Sequence, residues 1–121
     1  MAGVMRRGEV RLYKFKNPDK KRPVVILTRN SAIEYLGEVT VAPITSTIRD
    51  IPSEVHLSRE DGMKNDCAIN LDHIQTVSKG KIGALIIELS STKLIQLQQA
   101  LNFALGFSEK IETAPSIIPK L

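Results

Sequence analysis

Arg22 is the side chain with the most chemistry to offer. It ends the run Lys20-Lys21-Arg22 and stands directly before Pro23. A guanidinium can hold a phosphate through two parallel hydrogen bonds, a grip that a lysine ammonium does not reproduce. The competing reading is a surface arginine at the start of a strand. Thr45 closes Pro43-Ile44-Thr45. A hydroxyl at a strand end can reach a phosphate oxygen, or it can satisfy a local turn amide. Asn70 and Asp72 are two positions apart, a spacing that puts both on one face if the strand runs on. Asp72 could take a proton or cap the turn into Ile74. Asn70 could bind a phosphate or a base edge but cannot transfer protons. His73, by the same alternation, falls with Ile69 and Leu71, as a half-buried, satisfied histidine. His56 points away from the apolar face of Val55 and Leu57. The two histidines are 17 positions apart, and there is no HxH, HExxH or DxD cluster, so no divalent-metal box and no cofactor motif is read. Cys67 is the single cysteine. It has no adjacent base and reads as inert, and one thiol fits a reducing compartment, here the cytoplasm.

The charge around these residues is uneven. The formal net charge is +4, yet residues 1–30 hold nine Lys/Arg against two acids, and residues 31–121 hold eight against eleven. A positive first quarter implies a polyanionic partner, with a solvated basic face as the plainer alternative. Lys14, Lys16, Lys20 and Lys21 could supply phosphate contacts, and Tyr13, Phe15 and Tyr35 are the aromatics available for base stacking. At 121 residues the chain is one domain's worth. No stretch has the length of a membrane span, and Arg6, Arg7, Arg11 and Lys14 interrupt the start where a signal peptide would need an apolar core.

Hydrophobic periodicity supplies the framework around these candidates. Glu9–Phe15 alternates as a strand and slips at Lys14-Phe15, the mark of a bulge or strong twist. Lys16–Lys21 is a basic turn. Val24–Leu27 is a continuous apolar run, predicting a strand buried on both faces. Residues 30–37 predict a short helical turn capped by Asn30 or Ser31. Strands are predicted over Val39–Ala42, Ser53–Leu57, Cys67–Leu71, Ile74–Val77 and Lys81–Leu89, with a turn at Asp61-Gly62. Leu94, Leu97, Leu101 and Leu105 then switch to helical spacing, with Ser91 as N-cap and Gly106 at the C′ position. The expectation is a mainly β, α+β domain: five to seven short strands in a small barrel or sandwich, flanked by one C-terminal amphipathic helix. The domain is placed at residues 6–107, between an N-terminal extension (1–5) and a C-terminal tail (108–121).

The ordered blocks Arg7-Gly8-Glu9-Val10, Arg22-Pro23-Val24-Val25-Ile26-Leu27, Val41-Ala42-Pro43-Ile44-Thr45-Ser46, Cys67–Asp72 and Ile74–Val77 resemble those of the MazF/PemK/Kid toxins. The resemblance runs from about Arg6 to Phe107. It implies an SH3-like barrel with a C-terminal helix, a homodimer, and metal-independent cleavage of single-stranded RNA by the toxin of a type II toxin–antitoxin pair. It further implies an acidic antitoxin as partner.

Cutting RNA without a metal needs a base for the 2′-hydroxyl, an acid for the leaving 5′-oxygen and a cation on the phosphoryl oxygens. The resemblance marks Arg22 as catalytic and Thr45 as a second active-site residue. In Kid-type members an aspartate at the position of Asp72 acts with an arginine two residues before it. Here that earlier residue is Asn70, a departure that unsettles the arginine–aspartate scheme. Lys20, Lys21, Ser46, Arg49 and Asn70 are the expected RNA-binding residues, with the loop Ser46–Ser53 choosing the cleavage site. The alternative is a non-catalytic barrel resembling the CcdB proteins, which binds nucleic acid or a protein such as gyrase.

Overall fold

The computed structural model describes residues 4–15 and 20–108. Its organising strand is β3 (Glu38–Thr45), which has three partners. Strand β2 (Lys21–Ile26) runs antiparallel along one edge, pairing Val24 with Pro43 and Ile26 with Val41. The other edge is shared. Strand β6 (Gln75–Ser78) pairs with the first half of β3, and β5 (Cys67–Asn70) pairs with its end, Ile44 to Ile69 and Thr45 to Ala68. From Val41 to Ile44 is three steps, while their partners Gln75 and Ile69 are six apart. The three surplus residues, Leu71–His73, form a 3-10 turn between β5 and β6. Strands β1 (Glu9–Lys14), β4 (Glu54–Leu57) and β7 (Ile82–Glu88) complete seven strands, ordered β4-β5-β3-β2-β1-β7 with β6 beside β3.

The apolar run in β2 behaves as its composition demands. Val24, Val25 and Ile26 are all fully buried. Val25 joins Val10, Ala42, Ile44, Ile69 and Leu71 on one face, where helix α2 (Ser91–Ala104) adds Leu97 and Ala100. Val24 and Ile26 join Ile33, Val39, Val41 and Val77 on the other. A sheet with a core on each face curls into a half-barrel, and α2 closes one side. At the N-terminus of α2 the Ser90 hydroxyl accepts the Lys93 amide at 3.1 Å. At its C-terminus the Phe107 amide reaches Asn102 O at 2.8 Å and the Gly106 amide reaches Phe103 O at 3.0 Å. Gly106 has φ 81, the left-handed conformation this double closure requires.

Several boundaries differ from expectation. The cap of α2 is Ser90 rather than Ser91. The short helix α1 (Asn30–Ile33) follows Arg29 with no side-chain cap; Asn30 instead accepts the Arg7 amide at 2.7 Å, tying the chain start to this turn. Strand β3 extends through Pro43 to Thr45. The irregularity in β1 falls at Val10/Arg11 and Arg11/Tyr13 against β7, not at Lys14-Phe15. Met5, from the expected extension, packs on the second core cluster. The basic turn's Lys16 and the tail beyond Ser108 lie outside the described residues.

Candidate active site

Continuing the β2–β3 register outward by two residues from the Val24–Pro43 pair sets Arg22 opposite Thr45. Both residues, with Ser46, line one cavity of about 520 Å³. Its floor is apolar, from Leu12, Pro23, Ile44 and Cys67, and its far wall is the Gly62–Asp66 turn. The 3-10 turn Arg59–Asp61 leads into it: Ser58 caps that turn by accepting the Glu60 amide, Asp61 accepts the Ser58 amide at 2.9 Å, and Gly62 ends it at φ 103. Arg22 is exposed, and among the described residues no carboxylate forms an ion pair with it. The Thr45 hydroxyl accepts the Thr47 amide at 3.0 Å. That bond uses a lone pair and leaves the hydroxyl proton to be donated elsewhere, so turn closure and phosphate binding are compatible uses of one group.

The other candidates lie elsewhere. Strand β5 ends at Asn70, and the Leu71–His73 turn rotates the next residues, so Asn70 and Asp72 do not share a strand face. Asn70 is buried; its side-chain oxygen accepts the Asp72 amide at 3.0 Å and its nitrogen lies 3.2 Å from His73 Nδ1. Asp72 Oδ2 accepts the Ser53 hydroxyl at 2.6 Å. Since Thr45 pairs with Ala68, the chain is already running away from the cavity when it reaches Asp72. His73 is exposed rather than half-buried, and His56, which points away from Val55 and Leu57, is exposed. Lys20 and Lys21 are exposed beside Arg22. Arg49 sits in the β3–β4 loop, its amide bonded to Glu54 Oε1 at 3.0 Å and its guanidinium 3.9 Å from Oε2.

Cys67 is a buried free thiol. Burial pushes its pKa up, and the negative charges of Asp66 and Asp61 push it further, so its thiolate is disfavoured. Sequence reading missed Asp66, the one acidic side chain among the described residues lining the Arg22–Thr45 cavity. Its only local signal was the neighbouring Asp61-Gly62 turn. Among the described residues no three His, Cys, Asp or Glu side chains gather into a metal-binding group.

Comparison with known proteins places this geometry in a family. Residues 6–105 match the family described as PemK-like, MazF-like toxin of type II toxin-antitoxin system. A probable endoribonuclease MazF2 of Mycobacterium tuberculosis is 35% identical over 103 residues, covering 84% of this chain and 99% of the relative. Endoribonuclease MazF3 of the same species is 36% identical, covering 71% and 84%. Among solved structures, the Mycobacterium tuberculosis toxin MazF-mt6 superposes with a TM-score of 0.75 at 31% identity, covering 83% of this chain and 98% of that one. A mycobacterial endoribonuclease in complex with its cognate antitoxin shares the fold, with a TM-score of 0.79 at 24% identity and 88% and 100% coverage. These relatives favour the nuclease reading over a non-catalytic barrel. An arginine and a threonine on adjacent strands over one cavity, in a chain that matches along nearly its whole sheet and helix, thus belong to a member of the PemK-like, MazF-like toxins of type II toxin–antitoxin systems.

Proposed function

We propose that this protein is the toxin of such a pair and cuts single-stranded RNA without a metal, using side chains of the Arg22–Thr45 cavity. The placement of Arg22 opposite Thr45 on that cavity carries the reading. Arg22 holds the scissile phosphate and offsets charge as the 2′-oxygen attacks phosphorus. Thr45 donates a hydrogen bond to a phosphoryl oxygen. The 2′-hydroxyl proton passes to the Asp66 carboxylate, and the 5′-oxygen leaves with a proton taken from water, giving a 2′,3′-cyclic phosphate and a 5′-hydroxyl. Asp66 is the carboxylate that lines this cavity among the described residues, and Asp72 holds the turn between β5 and β6. Lys20, Lys21 and Ser46 guide the strand; Arg49 and Asn70 act through the loop and turn they hold.

The proposed partners are single-stranded RNA, an acidic antitoxin and a second copy of the chain, in the cytoplasm. Carboxylates of an antitoxin segment would occupy positions that phosphates otherwise take. Leu85 on β7 and Ile95, Leu105 and Phe107 along and just beyond α2 are exposed apolar side chains of the kind a dimer covers. No described helix is long and apolar enough to cross a membrane.

The test is incubation with single-stranded RNA in excess EDTA, followed by end-group analysis. The expected products carry a cyclic or 3′-phosphate and a 5′-hydroxyl. Activity lost in EDTA and restored by magnesium, or 5′-phosphate ends, would overturn the proposal.

A further inference from the structure

A second cavity, of about 640 Å³, opens beside the first. The two share only Leu12 among their lining residues. It is walled by Tyr13, Phe15, Lys14 and Lys21 of the β1–β2 ribbon and by the segment Gly80–Ala84, including Lys81. The Tyr13 and Phe15 rings meet edge to face, their centroids 4.7 Å apart and their planes at 84°. The three lysines come from three elements: β1, β2 and the 3-10 turn Lys79–Lys81. All three are exposed, and no acidic residue lines the cavity among the described residues. Three ammonium groups around one concavity with no carboxylate attract an anion. Two rings in the same wall offer a surface for a flat, apolar group.

The position narrows the ligand. Lys21 is covalently next to Arg22, and Tyr13 pairs with Arg22 across the β1–β2 ladder. A strand held by its phosphate at Arg22 therefore passes the mouth of this cavity. We infer that it is a nucleotide subsite for single-stranded RNA flanking the cleaved bond, with the phosphate on Lys14, Lys21 and Lys81 and the base against Tyr13 and Phe15. Lysine contacts to phosphate combined with stacking on aromatic rings are the usual chemistry of single-strand binding. An acidic peptide would use the lysines but would not need the ring surface that faces the cavity. The inference rests on the Arg22–Thr45 cavity being the cleavage site. Lys81 was not a sequence candidate because it lies 59 positions from Arg22 and only the β1–β7 pairing brings it near.

The experiment compares two substrates built on a cleavage site first mapped in a long transcript: a minimal oligonucleotide and one extended on both sides. Lys81→Ala should raise KM for the extended substrate about fivefold and leave kcat unchanged. It should lower the slope of log KM against log salt by about 0.7, the value for one lost single-strand phosphate contact. The minimal substrate should be cut as by wild type, and Lys81→Arg should restore the extended one. Phe15→Leu, with folding checked by thermal melting, should raise KM for the extended substrate at least fivefold through lost stacking. Equal KM for Lys81→Ala and wild type on the extended substrate would overturn the subsite. An equal loss on both substrates would also do so, because Lys81 would then contribute only general charge. If the wild type cuts no RNA, the cleavage reading fails separately. The subsite then stands or falls on whether Lys81→Ala weakens direct binding of a 2′-O-methyl RNA.

Discussion

The Ser53 hydroxyl donates a 2.6 Å hydrogen bond to the Asp72 carboxylate. This bond joins the residue before β4 to the 3-10 turn after β5, and the Leu71 amide adds a backbone bond to Ser53 O at 2.9 Å. Asp72 is thereby engaged in holding two segments together, whereas Asp66 lines the cavity with Arg22 and Thr45.

Asp72→Asn should therefore keep RNA cleavage within about twofold of wild type, since an amide oxygen can still accept the Ser53 hydroxyl. The cost in stability should be about 1 kcal/mol, the size of one hydrogen bond. Asp66→Asn should lower kcat by about ten- to a hundredfold with little change in melting temperature. Single-turnover rates and melts on both variants decide. A large loss at Asp72 with Asp66 silent would return the proton-transfer role to Asp72.

Arg22→Ala should lower kcat by about a hundred- to a thousandfold, the range for removing a donor aimed at developing charge. Melting should be unaffected, because the side chain is exposed. Arg22→Lys should recover little, since one ammonium cannot reproduce a bidentate grip. A lysine variant as active as wild type would mean that Arg22 contributes charge alone.

Glu54 shapes the loop that leaves the site. Its side chain is only 3% exposed, and Oε1 accepts the Arg49 and Asp50 amides at 3.0 and 3.1 Å. Asp50 is held there at φ 58, an unfavourable conformation for a residue with a Cβ. Glu54→Ala should cost about 1–3 kcal/mol, because two turn amides lose their acceptor. It should also raise KM and broaden cleavage-site choice with little change in kcat. Glu54→Gln keeps Oε1 and should stay near wild type in site choice. Sequencing of cleavage ends alongside thermal melts reads both effects.

Cys67 should alkylate slowly in the native protein at neutral pH and rapidly once unfolded, because its folded pKa is raised. A group that binds its proton more tightly when folded stabilises the fold below its unfolded pKa. That contribution is lost as pH rises from the unfolded pKa through the raised folded one. Above about pH 9, Cys67→Ala should therefore lose stability with pH less steeply than wild type. Native-state alkylation at pH 7 as fast as for a free thiol would contradict this.

The elements were largely legible because their signals are local. The unbroken run Val24–Leu27 specified a strand buried on both faces, and the structure puts alternate residues into two cores. Leucine spacing with Gly106 specified α2 and its end. Ser91 was read as the cap where Ser90 is the cap, because either serine hydroxyl can accept a first-turn amide.

Local sequence was enough to set the periods, the buried strand and the terminal helix, and to single out an arginine and a threonine at two strand ends as candidates. Each of these depends on a few neighbouring residues and on side-chain chemistry. Which groups share a space was settled only by the folded chain. Three surplus residues opposite β3 turn Asp72 toward Ser53, the Gly62–Asp66 turn puts Asp66 on the cavity that Arg22 lines, and β7 puts Lys81 on the cavity that Tyr13 lines. These placements depend on strand register between segments far apart in the chain, where a one-residue shift reverses every side chain, and alternation within one strand carries no record of that register.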